Sequence, residues 1–178
     1  MYKVIENWLP REINDNIKDI MSFDNFPWFY HDYVATRHKK SGDEFYFTHT
    51  FYDAPLLGKE INSGFWDNIV VPILYIIGQE LPLIRVKANL FTKRDRQIAY
   101  GFHQDYKATS YPEHTTFVLS LNTNNGYTEF EDGTKIPSIE RQMLIFDGNV
   151  KHRSVGQTDT LTRINMNINI EGNYKNFI

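Results

Sequence analysis

In the segment Gly101-Phe102-His103-Gln104-Asp105, an imidazole and a carboxylate stand two positions apart, shortly before the apolar, β-branched run of "HTTFVLS". Residues i and i+2 of an extended chain point to the same side, so His103 and Asp105 can offer a nitrogen and an oxygen donor to one point. Alone, such a pair is an ordinary polar strand end. A third candidate, His152 in "FDGNVKHRS", follows the apolar run Met143 to Phe146 and a turn at Asp147-Gly148. The 46 residues between Asp105 and His152 (106–151) leave room for several strands to cross and return. Two imidazoles and one carboxylate on one face of a metal leave the opposite positions open. That suits a non-haem Fe(II) that must take both a co-substrate and O2.

Arg163 adds a different kind of signal. It lies eleven positions after His152, in "TLTRINMNINI", a stretch otherwise apolar or amide-bearing. Strand alternation puts Arg163, Asn165, Asn167 and Asn169 on one face. A permanently charged guanidinium pointed into a barrel is costly unless an anion meets it there. A dicarboxylate co-substrate would supply that anion.

Other chemistries are absent from the sequence. The chain has no Cys, which excludes disulfides, thiolate nucleophiles, iron–sulfur clusters and cysteine zinc sites, so a metal must be held by nitrogen and oxygen. No phosphate-binding Gly-x-x-x-x-Gly-Lys, His-Glu-x-x-His or Gly-x-Ser-x-Gly occurs. A formal net charge of -3 gives no general attraction to nucleic acid or anionic membrane. The remaining histidines, His31, His38, His49 and His114, have no partner at a ligand spacing. The N-terminal "MYKVIENWLPREI" lacks the pattern of a secretory signal, and the longest apolar run, Ile69 to Ile77, is far too short to span a bilayer. The expectation is a soluble, cytoplasmic protein.

The elements that would hold these residues can be read from periodicity. The 178 residues fit one compact domain over 1–178, and 13 Phe and 11 Tyr favour strands. Ile13, Ile17 and Ile20 predict an amphipathic helix over 10–22, with Pro10 in its first turn. A second helix is expected over 65–79, capped by Ser63 and either kinked or broken at Pro72. Aromatic segments 28–34 and 44–51 read as strands around a polar loop, and the loop 36–42 is a candidate lid. After Leu83, strands are expected near 84–91, 98–103, 115–121, 127–131, 134–137, 142–146, 150–154 and 161–170. Turns are expected at Asn124-Asn125-Gly126, Asp132-Gly133 and Asp147-Gly148. The fold class is mainly β with supporting helices (α+β), a double-sheet jelly roll or barrel, with 1–82 as support and 83–170 as core.

His103-x-Asp105, His152 and Arg163, with the glycine and phenylalanine of "NNGYTEFEDG" between them, resemble the Fe(II)- and 2-oxoglutarate-dependent oxygenases, in particular the prolyl-4-hydroxylase-like branch and its small phage and bacterial relatives. The match covers about Leu83 to Ile170. The resemblance implies a double-stranded β-helix (jelly roll, cupin-like) in which His103, Asp105 and His152 ligate Fe(II). Arg163 would pair with the distal carboxylate of 2-oxoglutarate, whose 2-oxo acid end would chelate the metal, and O2 would be the second co-substrate. The products would be succinate and a hydroxylated C–H bond. Asp105 argues against the halogenating variants, which leave that coordination position to a halide. Two tyrosines usual in the family correspond here to Ser120 and to the neighbourhood of Asn89, which would complete the 2-oxoglutarate pocket, and Tyr100 would face substrate. The leading substrate class is a protein or peptide side chain, prolyl first, with a small molecule or nucleobase as alternatives. A cupin-like metal or carboxylate-binding module without redox chemistry is the rival from another class. A Zn(II) hydrolase on the same ligands would need a general base that no spacing reveals.

Overall fold

The computed structural model describes residues 2–34, 44–57, 60–78 and 82–177. The candidate lid at 36–42 and His38 therefore lie outside the described residues.

Alternating sequences from Leu83 onward form seven strands: β4 (Leu83–Thr92), β5 (His114–Ser120), β6 (Asn124–Phe130), β7 (Lys135–Ser138), β8 (Met143–Asp147), β9 (His152–Val155) and β10 (Thr162–Glu171). Three more precede them: β1 (Tyr2–Ile5), β2 (Phe29–His31) and β3 (Tyr46–Asp53). They assemble into a seven-stranded sheet, β1-β8-β5-β10-β4-β3-β2, and a three-stranded sheet, β7-β6-β9, with antiparallel pairing throughout. The chain crosses between the sheets as it runs from β4 to β10. This is the double-stranded β-helix.

The expected strand over 98–103 appears only as bridges, Ala99 to Val155 and His103 to His152, along the free edge of β9. Backbone bonds from Tyr100 N–H to Ser154 O and from Gly156 N–H to Ile98 O still tie it to the small sheet. β1 was not expected from periodicity. It is half-exposed at the edge of the large sheet, in register with β8 from Tyr2–Phe146 to Ile5–Met143.

The two faces of the large sheet differ in chemistry. Val86, Ala88, Phe117, Leu119, Met143, Ile145, Met166, Ile168 and Ile170 point outward from the β-helix and are buried by the helices. Helix α1 (Arg11–Ser22) supplies Ile17 and Met21 to that layer, and α3 (Val71–Ile77) supplies Ile73. The predicted second helix is in fact two. A π-helical turn, Trp66–Val70, leads into α3, whose second residue is Pro72. A proline there has no interior amide bond to break, so the junction falls just before it. Ser63 Oγ accepts the Phe65 amide at 3.1 Å, and Gly78, in the left-handed conformation at φ 76°, ends α3. A short helix, α2 (Ala54–Leu57), continues directly from β3.

One turn signal misled. Asn124-Asn125-Gly126 lies inside β6 and forms an irregularity in its pairing with β7, between Asn124 and Tyr127. The glycine is there for close approach: a Cβ at Gly126 would stand 2.8 Å from Val155 O and 2.9 Å from Arg163 Cδ. No helix among the described residues is long and apolar enough to cross a membrane.

Candidate metal centre and its pocket

Antiparallel pairing sets the two histidines side by side. His103 N–H donates to His152 O at 2.9 Å and His152 N–H to His103 O at 3.0 Å. Their imidazole centroids are 4.7 Å apart. Each ring uses Nδ1 in the same way, against the carbonyl two residues earlier: Gly101 O at 3.2 Å for His103, Val150 O at 3.1 Å for His152. A carbonyl only accepts, so Nδ1 carries the hydrogen in both and each Nε2 presents a lone pair. Burial, with His152 alongside, lowers the pKa of His103 and favours that neutral, ligating form.

Asp105 completes the group. One donor atom from each of His103, Asp105 and His152 lies within 4.8 Å of the others. Its carboxylate is buried but heavily supported. Arg85 Nη2 donates to Oδ1 at 2.9 Å, Asn169 Nδ2 to Oδ2 at 2.8 Å and Thr116 Oγ1 to Oδ2 at 3.3 Å. Burial pulls its pKa upward, but Arg85 above all, and then the two histidines, outweigh that and hold it well below the usual carboxylate range. Each carboxylate oxygen has two lone pairs, so a metal can still be accepted beside these donors. Arg85 and Thr116 escaped the sequence reading, and Asn169, placed there on the face of Arg163, was not given its contact with Asp105. The signal was available, because Arg85, Lys87 and Asn89 alternate in "LIRVKANLF" as Arg163 and the asparagines do in β10.

The inner face of the large sheet is built in rows by the strand register. Asp53, Arg85, Asn169 and Thr116 form the row that supports Asp105. Next come Thr50, Lys87, Asn167 and Val118, then Thr48, Asn89, Asn165 and Ser120, and then Phe91 with Arg163. A cavity of about 450 Å³, counted out to its open mouth, has the three candidate ligands at one end and Lys87, Asn89 and Asn165 on its walls. Asn89 Nδ2 donates to Asn165 Oδ1 at 2.9 Å and to Asn167 Oδ1 at 3.2 Å. The asparagines of β10 thus line a pocket.

Arg163 shares the row of Phe91, a residue of the cavity wall, but is not itself part of the lining. Its side chain is 1% exposed, packed over the Phe91 ring at 5.3 Å, with Nε donating to Ser138 Oγ at 2.8 Å. Burial lowers its pKa to about 10. Among the described residues its Nη1 has no partner, and no carboxylate neutralises it. Ser120 is buried opposite Asn165, outside the cavity lining. Tyr100 also lies outside that lining: it is 2% exposed and packs on Phe91 at 5.4 Å beside Arg163. The other described histidines stand elsewhere. His31 Nε2 meets Thr48 Oγ1, His49 sits between Pro27 O and Ser63 Oγ, and His114 packs against Gly148.

A 2OG-Fe(II) oxygenase family protein from Burkholderia pseudomallei matches with a TM-score of 0.62 at 12% identity, over 97% of this chain and 86% of that one. A prolyl hydroxylase from Trichoplax adhaerens, solved with a hypoxia inducible factor peptide fragment, matches with a TM-score of 0.62 at 10% identity, over 96% and 83%. This chain has the 2-oxoglutarate/Fe(II) oxygenase fold. The same oxygenase fold occurs in SnoN, an alpha-ketoglutarate-dependent epimerase from nogalamycin biosynthesis, at a TM-score of 0.61 and 14% identity over 95% and 76%. No protein-family profile and no curated sequence matches the chain.

Proposed function

We propose that this protein is an Fe(II)- and 2-oxoglutarate-dependent oxygenase that hydroxylates a C–H bond, with a peptide side chain, prolyl first, as the substrate to test. The observation that carries the reading is Arg163, a buried guanidinium with an unpaired Nη1, inside the same β-helix as a His-x-Asp…His group. An unneutralised cation in a dry interior is costly unless its anion arrives with a ligand. Bound together, Fe(II), 2-oxoglutarate and O2 supply a two-electron oxidation in which the diacid loses CO2 to give succinate and the substrate gains a hydroxyl.

This chain's residues do the positioning. His103 and His152 would offer Nε2 to the ion, since their Nδ1 atoms are held by the Gly101 and Val150 carbonyls. Asp105 stays ionised because Arg85 and Asn169 brace it. Arg163 would take the distal carboxylate, with Ser138 holding its Nε and the Asn89–Asn165 pair between it and the metal end. Phe91 and Val118 exclude water from the cavity wall. The fold's occurrence in a prolyl hydroxylase bound to a peptide supports trying prolyl peptides first.

The test is anaerobic visible absorbance as Fe(II) and then 2-oxoglutarate are added to metal-free protein. A weak charge-transfer band that needs both components and is lost in His152→Ala is expected. Absence of the band, with no 2-oxoglutarate binding by calorimetry, would leave a cupin-like binding module instead.

A further inference from the structure

Lys87 is the cation that the oxygenase reading leaves without a task. It lies on β4, one row from the residues that brace Asp105 and two rows from Arg163, opposite Asn167 on β10 and Thr50 on β3. Rows are two residues apart, roughly 7 Å along a strand. Lys87 therefore stands toward the metal end of the cavity, while Arg163 is level with Phe91 at its far end.

Its neighbour Arg85 is paired with Asp105, whereas among the described residues no carboxylate pairs directly with Lys87, and Asp105 and Asp53 act on it only at longer range. Among the described residues it makes no ion pair and no hydrogen bond, and its Nζ lies 5.5 Å from the centre of the Tyr46 ring. Cation–π contact with a tyrosine leaves the ammonium's hydrogens free. A half-buried ammonium beside a second cation, Arg85, is held at a cost, and burial followed by Arg85 lowers its pKa to about 7. Asn167, directly across from it, accepts from Asn89 through Oδ1 and so keeps its own Nδ2 hydrogens available. An ammonium and an amide N–H facing each other across one row form a two-donor seat for an anion.

If one end of 2-oxoglutarate is at the metal and the other is at Arg163, the diacid is satisfied without Lys87. We propose that Lys87, with Asn167, seats a carboxylate of the primary substrate next to the C–H bond to be oxidised, so that the enzyme acts on an acidic substrate. This rests on the oxygenase reading for its meaning, but the seat itself does not need the metal. The carboxylate can belong to a peptide side chain flanking the reacting residue or to a small organic acid.

Matched acid and amide probes test it. Acetyl-Pro-Glu-amide against acetyl-Pro-Gln-amide represents the peptide source, and phenylacetate against phenylacetamide the small-molecule source. Binding is measured by calorimetry on metal-free protein and again with Mn(II) and 2-oxoglutarate present, where line broadening by Mn(II) reports whether the probe lies near the ion. At least one acid should bind tighter than its amide, on the order of 10- to 100-fold, as loss of a charge-assisted hydrogen bond predicts. Lys87→Gln should reduce that ratio to about one, Lys87→Arg should keep it, and 2-oxoglutarate binding should be unchanged in both. The pair that shows the preference identifies the source.

Equal binding of acid and amide, no binding of either acid, or a preference that survives in Lys87→Gln would overturn the proposal. So would loss of 2-oxoglutarate binding in Lys87→Gln, which would give the lysine to the co-substrate. If wild-type protein fails to bind Fe(II) with 2-oxoglutarate but keeps a Lys87-dependent acid preference, the oxygenase reading falls and the anion seat stands.

Discussion

Two arginines on the inner face illustrate opposite uses of a buried charge. Arg85 is paired with Asp105 in a mostly buried ion pair, 15% and 4% exposed. Removing one partner strands the other, so Arg85→Gln should destabilise the metal-free protein by about 3–5 kcal/mol in urea unfolding. Mn(II) should recover part of that loss by supplying the missing positive charge, and a loss under about 1 kcal/mol would mean the pair is not what holds Asp105. Arg163 has no such partner, so the same logic reverses. Arg163→Met should leave the ligand-free protein at least as stable as wild type, because an unneutralised cation is removed. It should also weaken 2-oxoglutarate by about 2–5 kcal/mol, measured by calorimetry with Mn(II) bound. An unchanged affinity would place the distal carboxylate elsewhere.

At the level of elements, the irregular stretch of β6 matters as much as the ligand strands. Gly126 gives room for the Arg163 stem and for the carbonyl of Val155 on β9. Gly126→Ala should cost about 1–3 kcal/mol by overpacking and should also weaken 2-oxoglutarate binding, because Arg163 Cδ must move. A stability loss with intact 2-oxoglutarate binding would make the glycine a packing residue only. The junction of β3 with the π-helical turn carries a pH response. His49 donates from Nδ1 to Pro27 O at 2.9 Å and accepts at Nε2 from Ser63 Oγ at 2.7 Å, and burial lowers its pKa below 6.5. Between that lowered value and 6.5 the unfolded chain binds a proton the folded protein refuses, so stability falls as pH drops through this window. Thermal midpoints at pH 7.5 and 5.5 should show this drop in wild type, and a smaller one in His49→Gln.

The whole molecule separates stability from chemistry by the two faces of one sheet. Outward residues of β4, β5, β8 and β10 meet α1, α3 and the π-helical turn in a dry layer, whereas inward residues of β4 and β10 are mostly polar and line the site. Truncating Met166, fully buried in the outer layer, to Ala should cost about 2–5 kcal/mol while leaving Fe(II) affinity unchanged at temperatures where the variant is folded. Asn167→Ala, on the opposite face one residue away, should cost far less stability because its amide is only partly buried. Unfolding curves and Fe(II) titrations on both variants check the separation.

The sequence by itself fixed what depends on local spacing. Period-two alternation marked most of the strands of the β-helix, the isoleucine stripe marked α1, and His-x-Asp put two donors on one side of the chain, since adjacent pleats decide that without any partner. The resemblance then grouped His152 and Arg163 with them. Alternation alone could not say which face of β4 and β10 is dry, and so did not separate a solvated asparagine series from a pocket wall. It did not mark β1, whose short edge strand is half-exposed and exists because β8 offers free backbone groups. It also read Gly126 as a turn, because a glycine required for close approach looks the same in one dimension as a glycine required for a bend. Register, set by pairing between strands far apart in the chain, decided the rest. It placed Arg85 against Asp105, put Lys87 across from Asn167, and packed Tyr100 beside Arg163, outside the cavity lining. Those contacts are long-range, and only the closing of two sheets on each other brings them into being.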